Sequence, residues 1–247
     1  MVLAAELFLR AIKSFLTFTR FYKKIKRYME VINISETTSI VNQYIAEIRD
    51  KNYHHNRMVF RKNIERIGEI IAYHVSQSLE YKSQQTETPL GVANDKVLAE
   101  QPIIGCILRA ALAMHGGFLN VFDKADSIFI SAYRKHISIS SNEFSIETAY
   151  VSGPDLSNRD LILCDPMLAT AASMAKIYKM VTKEQTPKHT HFVAVVASEA
   201  GIETLQKEIK DENTTLWVAV IDPELDEKAY IVPGIGDAGD LAYGEKL

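Results

Sequence analysis

The sequence predicts one α/β domain, a mainly parallel sheet flanked by helices, with N-terminal helices and a protruding β-hairpin arm. Three observations predict it. The runs QPIIGCIL, DLILCD, FVAVVA and LWVAVI are short and continuously apolar, as strands buried on both faces must be. Segments with apolar residues three and four apart alternate with those runs, which implies helices covering a parallel sheet. No internal repeat and no Gly-, Pro- or Ser-rich linker divides the 247 residues.

Taken in order, residues from Ser35 to Asp50 carry Ile40, Val41, Tyr44, Ile45 and Ile48 on one helical face. A second helix runs from Asn56 to Leu79, with Val59, Phe60, Ile64, Ile67, Ile71 and Val75 at helical spacing. Arg61, Lys62, Glu65, Arg66 and Glu69 read as its solvated face. TPLGVAN and QPIIGCIL read as strands. Helix is expected over Ala110–Phe122, Ala172–Lys183 and Glu199–Lys210. Strands are expected over Ser127–Ala132, Asp160–Asp165, Phe192–Ala197 and Leu216–Ile221. The polar, Ser-rich stretch from Lys135 to Val151 reads as the protruding hairpin.

Composition sets the class. Apolar residues make up 47% and charged residues 24%, which excludes a disordered chain, a collagen-like fibre and a disulfide scaffold. Cys106 and Cys164 both sit in apolar runs and read as buried, inert thiols in a reducing compartment, the cytoplasm. No cysteine and histidine cluster has zinc spacing, and the adjacent pair His54–His55 carries little weight as a metal site.

Charge is uneven. Residues 1–30 hold seven basic residues against two acidic ones, a net +5, which leaves −8 for residues 31–247 out of a total of −3. An acidic body argues against nucleic acid as a partner. Leu7, Ala11, Phe15, Phe18, Tyr22 and Ile25 make residues 1–30 a basic amphipathic helix, read as an N-terminal extension ahead of a domain over residues 31–247. Charges at Arg10, Lys13 and Arg20 break every apolar run well short of a membrane span. Three readings of the segment stand: a translated stretch upstream of a natural start at Met29, a helix lying on an anionic membrane, and a helix at an oligomer interface.

In an open parallel sheet, ligands bind beyond the carboxyl ends of the strands. Arg109, Asp165 and Asp222 fall at such ends. In LILCDPMLATAASMAKIYKM an apolar strand enters a short loop and then a helix. Backbone amides of such a loop form an anion-binding nest, to which Thr170 and Ser173 add hydroxyl donors. Asp165 is placed to take sugar hydroxyls or to order a magnesium shell. The bland alternative makes Asp165 a turn residue and Thr170 or Ser173 a helix N-cap. Near the C-terminus, YIVPGIGDAGDLAYGEKL holds four glycines with Pro233, Asp237 and Asp240. Such a loop can read a flat heterocycle through its backbone N–H and C=O groups.

DPMLAT with YIVPGIGDAGD, supported in order by ILRAALAM, SAYRK and VASEAGIETLQ, resembles the uracil phosphoribosyltransferase family over residues 35–247. The resemblance implies the type I phosphoribosyltransferase fold. It implies transfer of the 5-phosphoribosyl group from 5-phosphoribosyl 1-diphosphate (PRPP) to N1 of uracil, giving UMP and diphosphate in pyrimidine salvage. Magnesium would arrive with PRPP. Carried over by position, Asp165, Pro166, Met167, Leu168, Ala169, Thr170, Ala171, Ala172 and Ser173 would hold the ribose hydroxyls and 5′-phosphate. Arg109 and Arg134 would contact the diphosphate. Ile231, Gly236, Asp237 and Ala238 would bind uracil, largely through backbone atoms; Asp237 would also lie beside PRPP near the reacting centre, and Asp237 and Arg109 would be the catalytic residues. The resemblance further implies a homo-oligomer, dimer or tetramer, and in some members activation by GTP, for which the sequence shows no site.

The chain departs from the family pattern at glycines. Ala171 and Ala172 follow DPMLAT where two glycines are usual, and Ala111 and Ala113 also stand at common glycine positions. Alanine costs on the order of 1 kcal/mol where the backbone needs a positive φ, and nothing where it is helical. A nucleotide sensor of the same fold, binding without turnover, is therefore the alternative function.

Overall fold

The computed structural model describes residues 29–136 and 144–245, with backbone only for residues 132–136 and 144–148. Of the expected extension, residues 1–30, residues 1–28 lie outside the described residues. Strand β1 (Glu30–Asn33) leads through a short 3-10 turn to helix α1 (Ile40–Arg49) and helix α2 (Arg57–Ser76). Ser39 caps α1 in a reciprocal capping box with Asn42, and the Asn56 side chain accepts the Val59 amide to start α2. The chain continues as β2 (Tyr81–Thr88), β3 (Gly91–Leu98), β4 (Ile103–Leu108), α3 (Leu112–Val121), β5 (Asp126–His136) and β6 (Phe144–Ser152). Then come β7 (Asp160–Cys164), β8 (Met167–Leu168), α4 (Ala172–Val181), β9 (His189–Ser198), α5 (Glu199–Glu208) and β10 (Thr214–Asp222). Two short strands, β11 (Glu224–Leu225) and β12 (Ile231–Val232), precede α6 (Ala238–Tyr243).

The main sheet has the order β1-β10-β9-β7-β4-β5-β6, with β8 beside β9. All its pairs are parallel except β5 with β6. The apolar runs fill both faces, as continuous rather than alternating hydrophobicity requires. One core cluster joins Ile104, Cys106, Val193 and Trp217 to α1, α2, α3 and α6. The other joins Ile103, Leu161, Phe192 and Leu216 to α4 and α5. The result is a three-layer α/β fold.

Several expectations are corrected. TPLGVAN is not one strand, because Pro89 and Leu90 form the turn between β2 and β3. That hairpin is exposed on nearly all its length, so its first strand, YKSQQTET, has no apolar side to reveal it. The strand expected at 127–132 and the hairpin expected at 135–151 form one feature, because β5 runs on into the antiparallel pair with β6. Residues 137–143 between them lie outside the described residues. β1 begins at Glu30, so the sheet reaches one residue into the segment read as extension.

Candidate active site

The strand order reverses direction between β4 and β7. From β4 the chain passes to β5 on one side, then returns to β7 on the other and moves outward through β9 and β10. Such a switch point opens a crevice at the carboxyl ends of the two central strands. Arg109 follows β4 and Asp165 follows β7, and these strands are paired neighbours with Cys106 opposite Cys164. Both residues therefore stand at the crevice.

The loop after β7 is built into the sheet. Asp165 and Pro166 interrupt the strand: the Asp165 amide still donates to Val193 O at 3.0 Å, while Pro166 O accepts from both Val195 and Val196 at 3.0 Å. β8 then resumes pairing along β9, opposite Val196 and Ala197. Ser198 at the end of β9 donates its hydroxyl to Ala169 O at 2.6 Å and accepts the Gly201 amide at 2.9 Å. Gly201 packs so closely that a Cβ there would lie 2.3 Å from Ala169 O. Ser198 and Gly201, in the VASEAG stretch, thus brace the loop from below. Only the motif signals that role, since each residue alone reads as an ordinary helix start.

Residues Asp165 and Met167–Met174 line a pocket of about 60 Å³. Neither Thr170 nor Ser173 caps α4. Ala171 holds the N-cap position, with φ 59° and ψ −2° and no side-chain cap bond. The left-handed turn frees both hydroxyls from capping duty. Ala171 pays for it with the steric strain of its Cβ, while Ala172 is helical and unstrained. Ala171 is 5% exposed and joins the core cluster of α4 and α5, and it is also one of the residues that line the pocket.

Arg109 is exposed, and the peptide before it is cis. Its guanidinium donates to Asp240 Oδ1 at 2.9 Å and to Gly244 O at 3.1 Å. The residue after β4 is therefore joined to the C-terminal segment. Arg134 lies on β5 opposite Ile146, and its side chain lies outside the described residues.

In that C-terminal segment, Ile231 and Ala238 are buried in the core at 4% and 3% exposure. Gly236 is exposed, with φ 84°. Asp237 caps α6 by accepting the Asp240 amide at 2.9 Å. The sequence reading missed two arginines that anchor the segment. Arg61, assigned to a solvated face, donates to Ala242 O at 2.7 Å. Arg49 pairs with Asp222, which is 4% exposed. Asp222 was expected among the ligand-facing residues, and its burial against Arg49 corrects that assignment. A lone arginine on an amphipathic helix carries no sequence signal of such a contact.

Burial raises the Cys106 thiol to about 12, with the Asp165 charge adding to the effect, and burial raises Cys164 well above its ordinary value. Neither thiol is a nucleophile here. Among the described residues no three Asp, Glu, His or Cys side chains converge as a metal cage. A magnesium ion needs no such cage where a carboxylate and substrate phosphates supply oxygens, and Asp165, which lines the pocket, carries a carboxylate of that kind.

Comparison with known proteins agrees with this geometry. The uracil phosphoribosyltransferase family model matches residues 35–245. The uracil phosphoribosyltransferase of Porphyromonas gingivalis is 44% identical over 219 residues, covering 89% of this chain and all of that one. The enzyme of Sulfurisphaera tokodaii is 35% identical over 83% of this chain and 96% of its own. A solved structure of an Aquifex aeolicus protein superposes with a TM-score of 0.77, at 22% identity, over 88% of this chain and 99% of that one, and so shares the fold. With both loop motifs in place at one crevice and a family match spanning every strand of the sheet but β1, the chain belongs to the uracil phosphoribosyltransferase family.

Proposed function

We propose that the chain transfers the 5-phosphoribosyl group from PRPP to N1 of uracil, forming UMP and diphosphate, a pyrimidine-salvage step. The observation that carries this reading is the convergence of two loops at one switch point, one lining a small pocket and the other a glycine-rich turn, linked by Arg109 to Asp240.

The division of labour follows from the chemistry. Amides and hydroxyls of Asp165–Ser173 suit the 5′-phosphate, and the Asp165 carboxylate suits the ribose hydroxyls. Arg109 and Arg134 supply positive charge for the diphosphate as the C1′–O bond lengthens and the leaving group gathers charge. Magnesium bound with PRPP neutralises part of that charge. Backbone groups of Ile231, Gly236 and Ala238 present donors and acceptors to the uracil edge. Asp237 lies between those positions and stands beside the sugar, where a carboxylate stabilises the cationic centre or holds the N1 proton.

The non-catalytic sensor is disfavoured, because the family model and the 44%-identical relative are both named uracil phosphoribosyltransferase, and Ala171 adopts the left-handed turn that a glycine would take. A homo-oligomer, GTP activation and a cytoplasmic setting are part of the same proposal, resting on the family. No described helix is long and apolar enough to cross a membrane. The test is UMP formation by the purified chain from uracil, PRPP and magnesium, with hypoxanthine as control base. Turnover with uracil alone is expected. Turnover with neither base would overturn the assignment.

A further inference from the structure

We propose that Arg49 and Asp222 are positioning residues that set uracil affinity by clamping Gly234, without touching either substrate. The inference rests on the base-reading role given above to residues 231–238.

Arg49 is the last residue of α1, and Asp222 is the last residue of β10. Their side chains meet in a two-pronged ion pair, Nη2 to Oδ1 at 2.7 Å and Nη1 to Oδ2 at 2.9 Å. The side chains are 21% and 5% exposed, so water screens the pair weakly. Both partners also hold the same glycine. Asp222 Oδ2 accepts the Gly234 N–H at 2.9 Å, and Arg49 Nη1 donates to Gly234 O at 3.2 Å.

Gly234 can sit there only as glycine. Its φ is 57°, and a Cβ would lie 2.1 Å from Ile231 O. The turn Ile231–Gly234 is thus closed on itself and pinned from outside at its last residue. Gly236 lies two residues on and Asp237 three. Arg61 and Arg109 fix the far end of the segment at Ala242, Asp240 and Gly244. The Arg49–Asp222 clamp fixes the near end, so the exposed Gly236 lies between two anchors. A reader of a flat base through backbone groups depends on the position of those groups, and a misplacement of about 1 Å costs up to a hundredfold.

The two side chains are fitted to this task by their shapes. A planar guanidinium serves both carboxylate oxygens and a carbonyl in one plane, whereas an ammonium is a single point of charge. Arg49→Lys therefore keeps the charge and loses the fork.

The experiment measures steady-state UMP formation, varying uracil and PRPP separately, for the wild type, Arg49→Lys and the double variant Arg49→Met with Asp222→Leu. The double variant leaves no buried unpaired charge and keeps the fold available if Arg49→Lys is unstable. For both variants the expected result is a uracil KM raised about tenfold, with the PRPP KM and kcat within about twofold. Guanidinium ion added to an Arg49→Ala variant is expected to lower its uracil KM again. Unchanged uracil KM in a folded variant, or an equal rise for both substrates, overturns the clamp while wild-type turnover stands. Wild-type protein that forms no UMP overturns the functional reading, and the clamp with it.

Discussion

Arg109 and Asp240 stand 131 residues apart in the chain and 2.9 Å apart in space, joining the loop after β4 to helix α6. The link crosses between the group proposed to meet diphosphate and the segment proposed to read the base. It is 41% and 31% exposed, so its contribution to stability is under about 1 kcal/mol. The role proposed for it is orientation of the Arg109 guanidinium. Asp240→Ala is expected to leave unfolding nearly unchanged and to raise the KM for PRPP severalfold, as the guanidinium loses its fixed direction. A lower KM for PRPP would show instead that Asp240 competes with diphosphate for Arg109.

Ala171 and Ala172 are adjacent and chemically identical, yet the backbone separates them. At Ala171, glycine would relieve about 1 kcal/mol of left-handed strain, against a comparable loss of buried methyl and gain in unfolded-chain entropy. Ala171→Gly is expected to be near neutral. At exposed, helical Ala172, glycine lacks any offset and costs up to about 1 kcal/mol. Denaturant unfolding of the two variants checks the order. Ala172→Gly as the more stable of the two would mean that the left-handed turn is misassigned.

Asp237 has a structural task beside the proposed chemical one. Its carboxylate caps α6, and removing such a cap costs about 1 kcal/mol. Asp237→Ser keeps a capping oxygen and loses the charge. We expect the serine variant to unfold like the wild type while UMP formation falls by about a hundredfold or more. Full activity in the serine variant would reduce Asp237 to a cap.

His191 ties stability to pH. It is 2% exposed, its Nδ1 accepts the Trp217 indole N–H at 3.2 Å, and the His189 ring stands 4.6 Å away. Burial, with the neighbouring His189 charge adding to it, lowers His191 from 6.5 to about 3. The unfolded chain binds a proton below pH 6.5 that the folded chain refuses until about pH 3, so stability falls as pH falls through that window. The limiting slope is about 1.4 kcal/mol per pH unit. Melting temperature followed from neutral pH to about pH 5 should drop in the wild type and drop less in His191→Gln. Equal slopes would exclude His191 as the source.

The core of this molecule is legible in its sequence because burial on both faces leaves runs such as FVAVVA and LWVAVI, which nothing but an inner strand explains. The two loops proposed to bind ligand are legible because their residue types are unusual together. What escapes is whatever depends on partners far along the chain. Arg49 and Arg61 look like surface charges until Asp222, Gly234 and Ala242 are brought to them from some 170 or more residues away. β2 escapes because both its faces are exposed, and β8 because two residues cannot show a period. The sign of φ at Ala171 escapes because alanine is a helix former everywhere except in such a turn.

The central claim is that one loop holds the phosphoribosyl donor and the other holds the base. Thr170→Val removes a hydroxyl from the first loop while keeping its shape. Gly236→Ala places a methyl on an exposed backbone with φ 84° in the second. Measuring KM for both substrates in both variants tests the division most directly. The account expects the PRPP KM to rise alone in Thr170→Val and the uracil KM to rise alone in Gly236→Ala. A rise in the uracil KM with Thr170→Val, with that for PRPP unchanged, would contradict it.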